Sequence, residues 1–244
     1  MANMLDGECT NQISYALRYL DKGLSIFPLI PKGKKPVPGF KWEPFQHMMP
    51  TQEQVKAWFD GSDNSNNIAV VTGATSRLLA FDIDGLLAKS HADEVIRNKI
   101  CQVTRDALAE TLWVETGGDG LHVWIRYKPD EFTKDDTAAR EIKNAVLWRG
   151  KDGHSEVRLK SDGGYIVAPP SVHPNGNAYR LFKGTSIAEL SKEQILDLIQ
   201  SFRSIGGNCD TTTQKEAAKN RMLLTGYKDF HCRPPFWMKS GLWI

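Results

Sequence analysis

Helix-favouring and strand-favouring stretches alternate along the chain. In the segments 10–22 and 191–202, apolar residues recur every three or four positions, which is the spacing of one buried face of an α-helix. Capping boxes begin two of the helical stretches, because Thr51 and Ser191 are each followed by Gln three residues later. The predicted helices cover residues 10–22, 51–60, 86–110, 137–148 and 191–202.

Strand-like stretches, either apolar throughout or alternating between apolar and polar residues, lie between these helices. Glycine-rich turns separate several of them, and the turn at 117–120 predicts a β-hairpin. Hairpins among helices argue against a purely parallel sheet and predict an α+β, or mixed α/β, fold. The predicted strands cover residues 24–29, 68–72, 78–84, 111–116, 121–127, 156–160 and 164–168.

The length and composition are those of a globular protein. The chain has 244 residues, of which 41% are hydrophobic and 25% are charged. No apolar run approaches the roughly 18 to 20 residues that a membrane-spanning helix needs, and the first residues lack the features of a signal peptide. The four cysteines, Cys9, Cys101, Cys209 and Cys232, are too scattered for a disulfide framework or a zinc site. We therefore expect a cytoplasmic protein with reduced thiols and no membrane partner.

The helical and strand patterns weaken near the end of the chain. We expect one domain at residues 10–205 and a linker with a tail at 206–244. The last 44 residues carry seven Lys and Arg against three acids, or +4, so the first 200 residues contribute −2 to the net charge of +2. Bulk charge therefore gives no support for nucleic-acid binding by the domain, and its function must be sought in a local site.

The sharpest candidate site is an acidic pair at the end of a predicted strand. Residues 78–84 alternate so that Asp82 and Asp84 project from one face of the strand while Phe81 and Ile83 point to the other. Two close carboxylates raise the cost of ionising each other unless a cation lies between them, and Mg²⁺ takes such oxygen ligands together with substrate phosphates. The alternative is an exposed strand end at which both acids are solvated.

A glycine-rich hairpin supplies a second candidate site. Gly117, Gly118 and Gly120 allow close approach of a ligand to the backbone and expose amides that can cradle a phosphate, and His122 follows at the start of a strand. Taken alone, such a hairpin is more often a simple turn, and such a histidine is more often structural. A third polar region, residues 156–176, combines a charged strand with a Pro-Pro-Ser block.

Six short motifs, each weak alone, occur in the order found in a known family. They are Gly23-x-x-x-Phe27-Pro28, Lys35 with its neighbours, Val71-Thr72-Gly73, Asp82-x-Asp84, Gly118-x-Gly120-x-His122 and Asp162-Gly163-Gly164-Tyr165-Ile166-Val167-Ala168-Pro169-Pro170-Ser171. Over roughly residues 10–200, the chain resembles the bifunctional DNA primase/polymerase (prim-pol) domain of the archaeo-eukaryotic primase superfamily, which occurs in replication proteins of plasmids, phages and mobile elements. The resemblance implies an archaeo-eukaryotic primase-like catalytic core with an RRM-like sheet and an N-terminal α/β subdomain.

The resemblance also implies roles for individual residues. Asp82 and Asp84 would bind two catalytic divalent ions, Mg²⁺ or Mn²⁺, and His122 would contact the phosphates of the incoming nucleotide. The third metal-binding acid of the family commonly lies seven residues before the tyrosine, where this chain has Arg158. Glu156 supplies that acid if the register shifts by two residues; otherwise the site has only two acids. The other nucleotide-binding candidates are Gly118, Gly120, Arg158, Lys160, Lys35 and Ser171.

The implied activity is template-directed nucleotidyl transfer, by a DNA primase/polymerase that makes or extends primers on single-stranded DNA. Nucleoside triphosphates are the implied substrates, and a replicative helicase is a candidate partner. The sequence contains no Gly-x-x-x-x-Gly-Lys loop, which leaves both a stand-alone enzyme and one part of a longer protein open. One alternative function is a catalytically impaired module that binds nucleotide or single-stranded DNA. Another is a haloacid-dehalogenase-like phosphatase, although that family has Thr where this chain has Leu86.

Overall fold

A computed structural model describes residues 11–61, 65–132 and 137–204. The predicted tail at 206–244 lies outside these residues, as do Cys9, Cys209 and Cys232. The helices are α1 (Gln12–Asp21), α2 (Gln52–Phe59), α3 (Leu86–Asn98), α4 (Gln102–Glu110), α5 (Thr137–Glu141) and α6 (Lys192–Arg203). The strands are β1 (Ile26–Leu29), β2 (Asn67–Val71), β3 (Leu78–Asp84), β4 (Trp113–Glu115), β5 (Leu121–Arg126), β6 (Ala145–Arg149), β7 (Glu156–Lys160), β8 (Tyr165–Ala168) and β9 (Arg180–Lys183).

Both predicted capping boxes are confirmed. At the start of α2 the Thr51 hydroxyl accepts from the Gln54 amide, and the Gln54 side chain accepts from the Thr51 amide. Ser191 makes the same reciprocal pair at the start of α6. The helix predicted at residues 86–110 is instead two helices, α3 and α4. The Arg105 guanidinium of α4 donates to the carbonyls of Ile96 and Ile100, and so satisfies backbone groups at the break.

The prediction of one helix over residues 137–148 is wrong in its second half. Only Thr137–Glu141 is helical, and Ala145–Arg149 is the strand β6, which pairs with β7. Val146 lies across from Arg158 and lines the cleft, whereas Leu147 is buried in the core. A register shift between Val146 and Trp148 then places Trp148 across from Val157, where it packs against the same core cluster as Leu147. A short apolar run of this kind fits either element by periodicity, and pairing with β7 decides in favour of a strand.

Two antiparallel sheets organise the described part of the chain. One has three strands in the order β1-β2-β8, and the other has six in the order β6-β7-β3-β5-β4-β9. Neighbouring strands in both sheets run antiparallel, which confirms the predicted α+β class. Strand β9 has no counterpart among the predicted strands, because it is a four-residue edge strand with an exposed and half-buried pattern rather than an apolar run.

Each face of the six-stranded sheet packs against a different layer. Leu79, Phe81 and Ile83 of β3 pack with the apolar faces of α3 and α6 in one core cluster. Leu78 and Ala80 point the other way, into a second cluster with α1, α2 and the three-stranded sheet. Strand β3 is therefore buried on both faces over most of its length, and its polar end emerges where the second cluster stops.

Among the described residues, no helix is long and apolar enough to cross a membrane. In the same part of the chain, Cys101 is an exposed free thiol.

Candidate active site

The acidic pair lies where the space between the two sheets opens into a cleft of about 760 Å³. Asp82 and Asp84 follow Leu78 and Ala80 on the same face of β3, so one strand face changes from apolar core to carboxylates within two residues. Gly85 then turns the chain into α3 with a φ of 87°, in the left-handed region that glycine tolerates. This turn holds Asp84 at the end of the strand, facing the cleft.

His122 lies directly across from Asp82 on the neighbouring strand β5. Its Nε2 is 3.5 Å from Asp82 Oδ1, and the side chain is buried. Its Nδ1 is also buried and has no hydrogen-bond partner among the described residues. An orphaned polar atom of this kind marks a place where water, an ion or a substrate group completes the hydrogen bonding.

Strand β7 brings three charged side chains to the other side of β3. Arg158 lies across from Asp82, and Glu156 lies across from Asp84. The Lys160 Nζ is 3.9 Å from Asp82 Oδ2. Both candidates for the third acid position therefore adjoin the acidic pair, with one strand residue opposite each carboxylate.

The positive charges around Asp82 favour its ionised form. Burial opposes ionisation of this carboxyl. Its contact with His122, together with the charges of Lys160 and Lys34, outweighs the effect of burial and holds the pKa of Asp82 below its usual value. Asp82 is therefore an anion in the neutral pH range, as a metal-binding carboxylate must be.

Other parts of the cleft wall contain three residues that are not among the predicted site residues. Lys34, His173 and Tyr179 line the cleft together with Tyr165 of β8. The Tyr179 ring is near both histidines, with its centroid 6.2 Å from that of the His122 ring and 6.1 Å from that of the His173 ring. His173 follows the Pro-Pro-Ser block by two residues, so its proximity to that motif is a usable signal.

The two glycines predicted to cradle phosphate have different surroundings. Gly118 is exposed and lines the cleft. Gly120 is buried, and its amide already donates to the Thr116 hydroxyl, so this amide is occupied within the hairpin. A Cβ at residue 120 would lie 3.0 Å from the Ile83 carbonyl oxygen and 3.4 Å from Asp84 Oδ1. Gly120 therefore lets the hairpin pack against the acidic strand, and we correct its assignment from phosphate contact to close packing.

Lys35 and Ser171 are also predicted to contact nucleotide, and the structure does not bring either into the cleft. Lys35 is exposed on a loop, and its neighbour Lys34 lines the cleft instead. The sequence could not distinguish the two lysines, because side chains in a loop do not alternate between faces as they do in a strand. Ser171 is fully buried, and its hydroxyl accepts from the Ile68 amide at 2.8 Å. We therefore correct the assignment of Ser171 from nucleotide contact to a structural role, in which its hydroxyl accepts from the Ile68 amide of β2.

The structural role of Ser171 predicts that Ser171→Ala lowers the free energy of unfolding without weakening nucleotide binding. The substitution leaves the buried Ile68 amide without its acceptor, which costs about 1–3 kcal/mol. Chemical denaturation and a nucleotide titration measure the two effects. Ser90→Ala, which removes an exposed hydroxyl from α3, is the matched control and should change stability by less than about 0.5 kcal/mol. A loss of nucleotide affinity in folded Ser171→Ala would return this residue to the site.

Comparison with known proteins identifies the family to which this fold and cleft belong. The sequence model of the bifunctional DNA primase/polymerase N-terminal (Prim-Pol) family matches residues 16–193. The chain belongs to the Prim-Pol family. No curated protein matches the chain at a significant level. The matched range contains the acidic pair, His122 and the charged strand β7, and family membership removes the phosphatase alternative.

Prim-Pol enzymes typically use divalent metals, and the donors in the cleft can be compared with that requirement. Asp82 and Asp84 supply carboxylate oxygens on one strand face, and hard divalent ions prefer such donors. Within the ranges that the structure describes, no group of three or more His, Cys, Asp and Glu is arranged to hold a metal. The carboxylate pair therefore fits a metal whose remaining ligands are phosphate and water, while Glu156 is engaged with Arg158.

Proposed function

We propose that this Prim-Pol chain catalyses template-directed nucleotidyl transfer, making or extending primers on single-stranded DNA. The substrates would be nucleoside triphosphates, and the setting would be cytoplasmic replication of a plasmid, phage or mobile element. The observation that carries the proposal is the register of β3 with β5 and β7, which places Asp82 beside both His122 and Arg158 in one cleft. Family membership supplies the reaction class.

The charges in the cleft match the parts of a nucleoside triphosphate. Asp82 and Asp84 would hold Mg²⁺ or Mn²⁺, which when bound neutralises triphosphate charge and lowers the barrier to attack by a primer 3′-hydroxyl. His122, Lys160 and Lys34 contribute donors near Asp82, where the phosphates would lie. Gly118 is exposed on the cleft wall beside His173, whose Nε2 would lie 3.3 Å from a Cβ at this position, so the glycine keeps the wall from being narrowed further. The chain's own residues therefore position the triphosphate and offset its charge.

A second candidate function is a binding module with impaired catalysis. The observation that favours it is the ion pair between Glu156 and Arg158, which engages the nearest additional acid. In such a module Asp82 and Asp84 would hold a nucleotide-bound metal without completing the transfer reaction. This candidate and the polymerase differ in incorporation, not in nucleotide binding.

The experiment is primer extension by the purified chain. A labelled primer on a longer single-stranded template is incubated with deoxynucleotides or ribonucleotides in Mg²⁺ or Mn²⁺, with excess EDTA as the control, and an unprimed template tests primer synthesis. We expect template-dependent extension with a divalent ion and none in EDTA.

Nucleotide binding measured on the same preparation separates the outcomes. Binding without incorporation under every metal condition would contradict the polymerase and favour the impaired module. Absence of both binding and incorporation in a folded protein would contradict both proposals.

A further inference from the structure

Glu156 is held by two arginines instead of facing the acidic pair. Its Oε1 is bonded to the Nε of Arg158, and its Oε2 is 3.8 Å from the Nε of Arg149. Its side chain is 21% exposed, yet Glu156 is not among the residues that line the cleft. The carboxylate opposite Asp84 therefore has cationic partners where the proposed site would need it free.

Arg158 is bonded to the Glu156 carboxylate and is also within reach of the cleft, where phosphates of a nucleotide would lie. It lies across from Asp82, lines the cleft, and keeps 42% of its side chain exposed while bonded to Glu156. An arginine guanidinium is not deprotonated in proteins, so Arg158 keeps its charge with either partner. A guanidinium carries five donors in a planar fork that suits carboxylate and phosphate oxygens alike. Arg158 can therefore exchange Glu156 for a phosphate without leaving its strand.

Because side chains alternate along β7, Arg158 can change its partner from Glu156 to a phosphate without any movement of the backbone. Glu156, Arg158 and Lys160 project from one face of the strand, whereas Val157 and Leu159 are buried in the core beneath. The backbone is fixed by pairing with both β3 and β6, so only side-chain torsions have to change. A triphosphate carries more negative charge than one carboxylate and is the stronger competitor for Arg158.

We propose that Arg158 is a positioning residue which couples triphosphate binding to release of Glu156 toward the acidic pair. Without nucleotide, Arg158 pairs with Glu156 and the third acid is withheld. With triphosphate in the cleft, Arg158 turns to the phosphates, and Glu156 is freed beside Asp84 to join the metal-binding carboxylates. The inference rests on the proposed function in one respect, namely that the cleft takes a triphosphate.

Two binding titrations without primer or template test the coupling from opposite sides. In the first, free Mn²⁺ is measured by electron paramagnetic resonance in the absence of nucleotide. Arg158→Gln should bind Mn²⁺ about three- to five-fold more tightly than the unchanged chain, because it removes a cation and frees Glu156.

In the second titration, the binding of inorganic triphosphate is measured by calorimetry in EDTA. Glu156→Gln should bind it about three- to five-fold more tightly, and Arg158→Gln more weakly, because Arg158 is freed in one variant and lost in the other.

Arg149→Gln is the matched control. Arg149 also approaches Glu156, but it does not line the cleft, so its removal should leave triphosphate affinity unchanged. Circular dichroism verifies folding, and Arg158→Met, which keeps the aliphatic stem, replaces Arg158→Gln if that variant unfolds. A merely structural ion pair would leave only the Coulombic gain from the charge removed, so Arg158→Gln would still bind Mn²⁺ more tightly when combined with Glu156→Gln. The coupling instead requires Glu156 for that gain, which should be lost in the double variant.

Both gains are required by the proposal. Unchanged or weaker Mn²⁺ binding in folded Arg158→Gln, or unchanged or weaker triphosphate binding in Glu156→Gln, would overturn the coupling. The titrations are independent of primer extension. Gains without extension would support the coupling and count against the polymerase, whereas extension without the gains would overturn the coupling alone.

Discussion

Replacing Asp82 and Asp84 together with alanine is expected to abolish nucleotide incorporation while the protein stays folded. Both carboxylates face the cleft from one strand, and no other described acid lines it. Loss of a bound divalent ion removes several kcal/mol of charge stabilisation from the reaction, which corresponds to a rate loss of at least about a thousandfold. Primer extension under single-turnover conditions, with Mg²⁺ and with Mn²⁺, measures the loss.

The control for this double substitution is Asp130→Ala. Asp130 is an exposed acid in a short turn away from the cleft, and its removal should leave extension unchanged. Thermal melts by circular dichroism establish that each variant is folded. Extension at the level of the unchanged chain by a folded Asp82→Ala, Asp84→Ala double variant would eliminate the metal-binding assignment.

The second large effect is expected from His122→Ala, which should weaken nucleotide binding by about 10- to 100-fold. A hydrogen bond from an imidazole to a phosphate involves a charged acceptor and contributes about 1.5–3 kcal/mol. His122 is well placed for this role, since its Nε2 contacts Asp82 and its Nδ1 lacks a partner among the described residues. A fluorescent nucleotide titration measures the affinity, and primer extension gives the accompanying loss of rate.

His154→Ala is the matched substitution for His122→Ala. His154 is exposed in the β6–β7 hairpin and does not line the cleft, so we expect no change in affinity. If folded His122→Ala binds nucleotide and extends primers like the unchanged chain, His122 has only a structural role beside Asp82.

The acidic strand illustrates what sequence periodicity can predict. A strand that is buried on both faces still alternates, so the positions of Leu79, Phe81 and Ile83 in the chain are enough to predict that Asp82 and Asp84 point the opposite way. The capping boxes at Thr51 and Ser191 are predictable for a similar reason, because they depend on residues only three positions apart. Local geometry is therefore accessible from local sequence.

Features that depend on distant partners are not accessible in this way. The apolar run of β6 lacks a decisive period and predicts a helix, and only its pairing with β7 makes it a strand. Lys34 and Lys35 are adjacent in a loop, where no periodicity tells which one faces a cleft formed by other elements. Ser171 has the polarity of a binding residue, but its hydroxyl is used by the backbone of β2.

The third acid shows the same limit at the site itself. The sequence leaves open whether Glu156 or Arg158 lies beside the acidic pair, since a two-residue shift exchanges them without changing the strand face. The register of β7 against β3 puts Arg158 opposite Asp82 and Glu156 opposite Asp84. Register depends on hydrogen bonds between strands far apart in the chain, and the assignment of Glu156 as a metal ligand remains a prediction.

The most direct measurement is a crystal structure of the chain with Mn²⁺ and a non-hydrolysable deoxynucleoside triphosphate. Anomalous scattering locates Mn²⁺ without reference to the protein coordinates. We predict Mn²⁺ within about 2.0–2.6 Å of carboxylate oxygens of both Asp82 and Asp84, with the triphosphate on the side of His122 and Lys160. Mn²⁺ and triphosphate bound elsewhere on the chain, with the acidic pair free of metal, would contradict the assignment of this cleft as the nucleotidyl-transfer site.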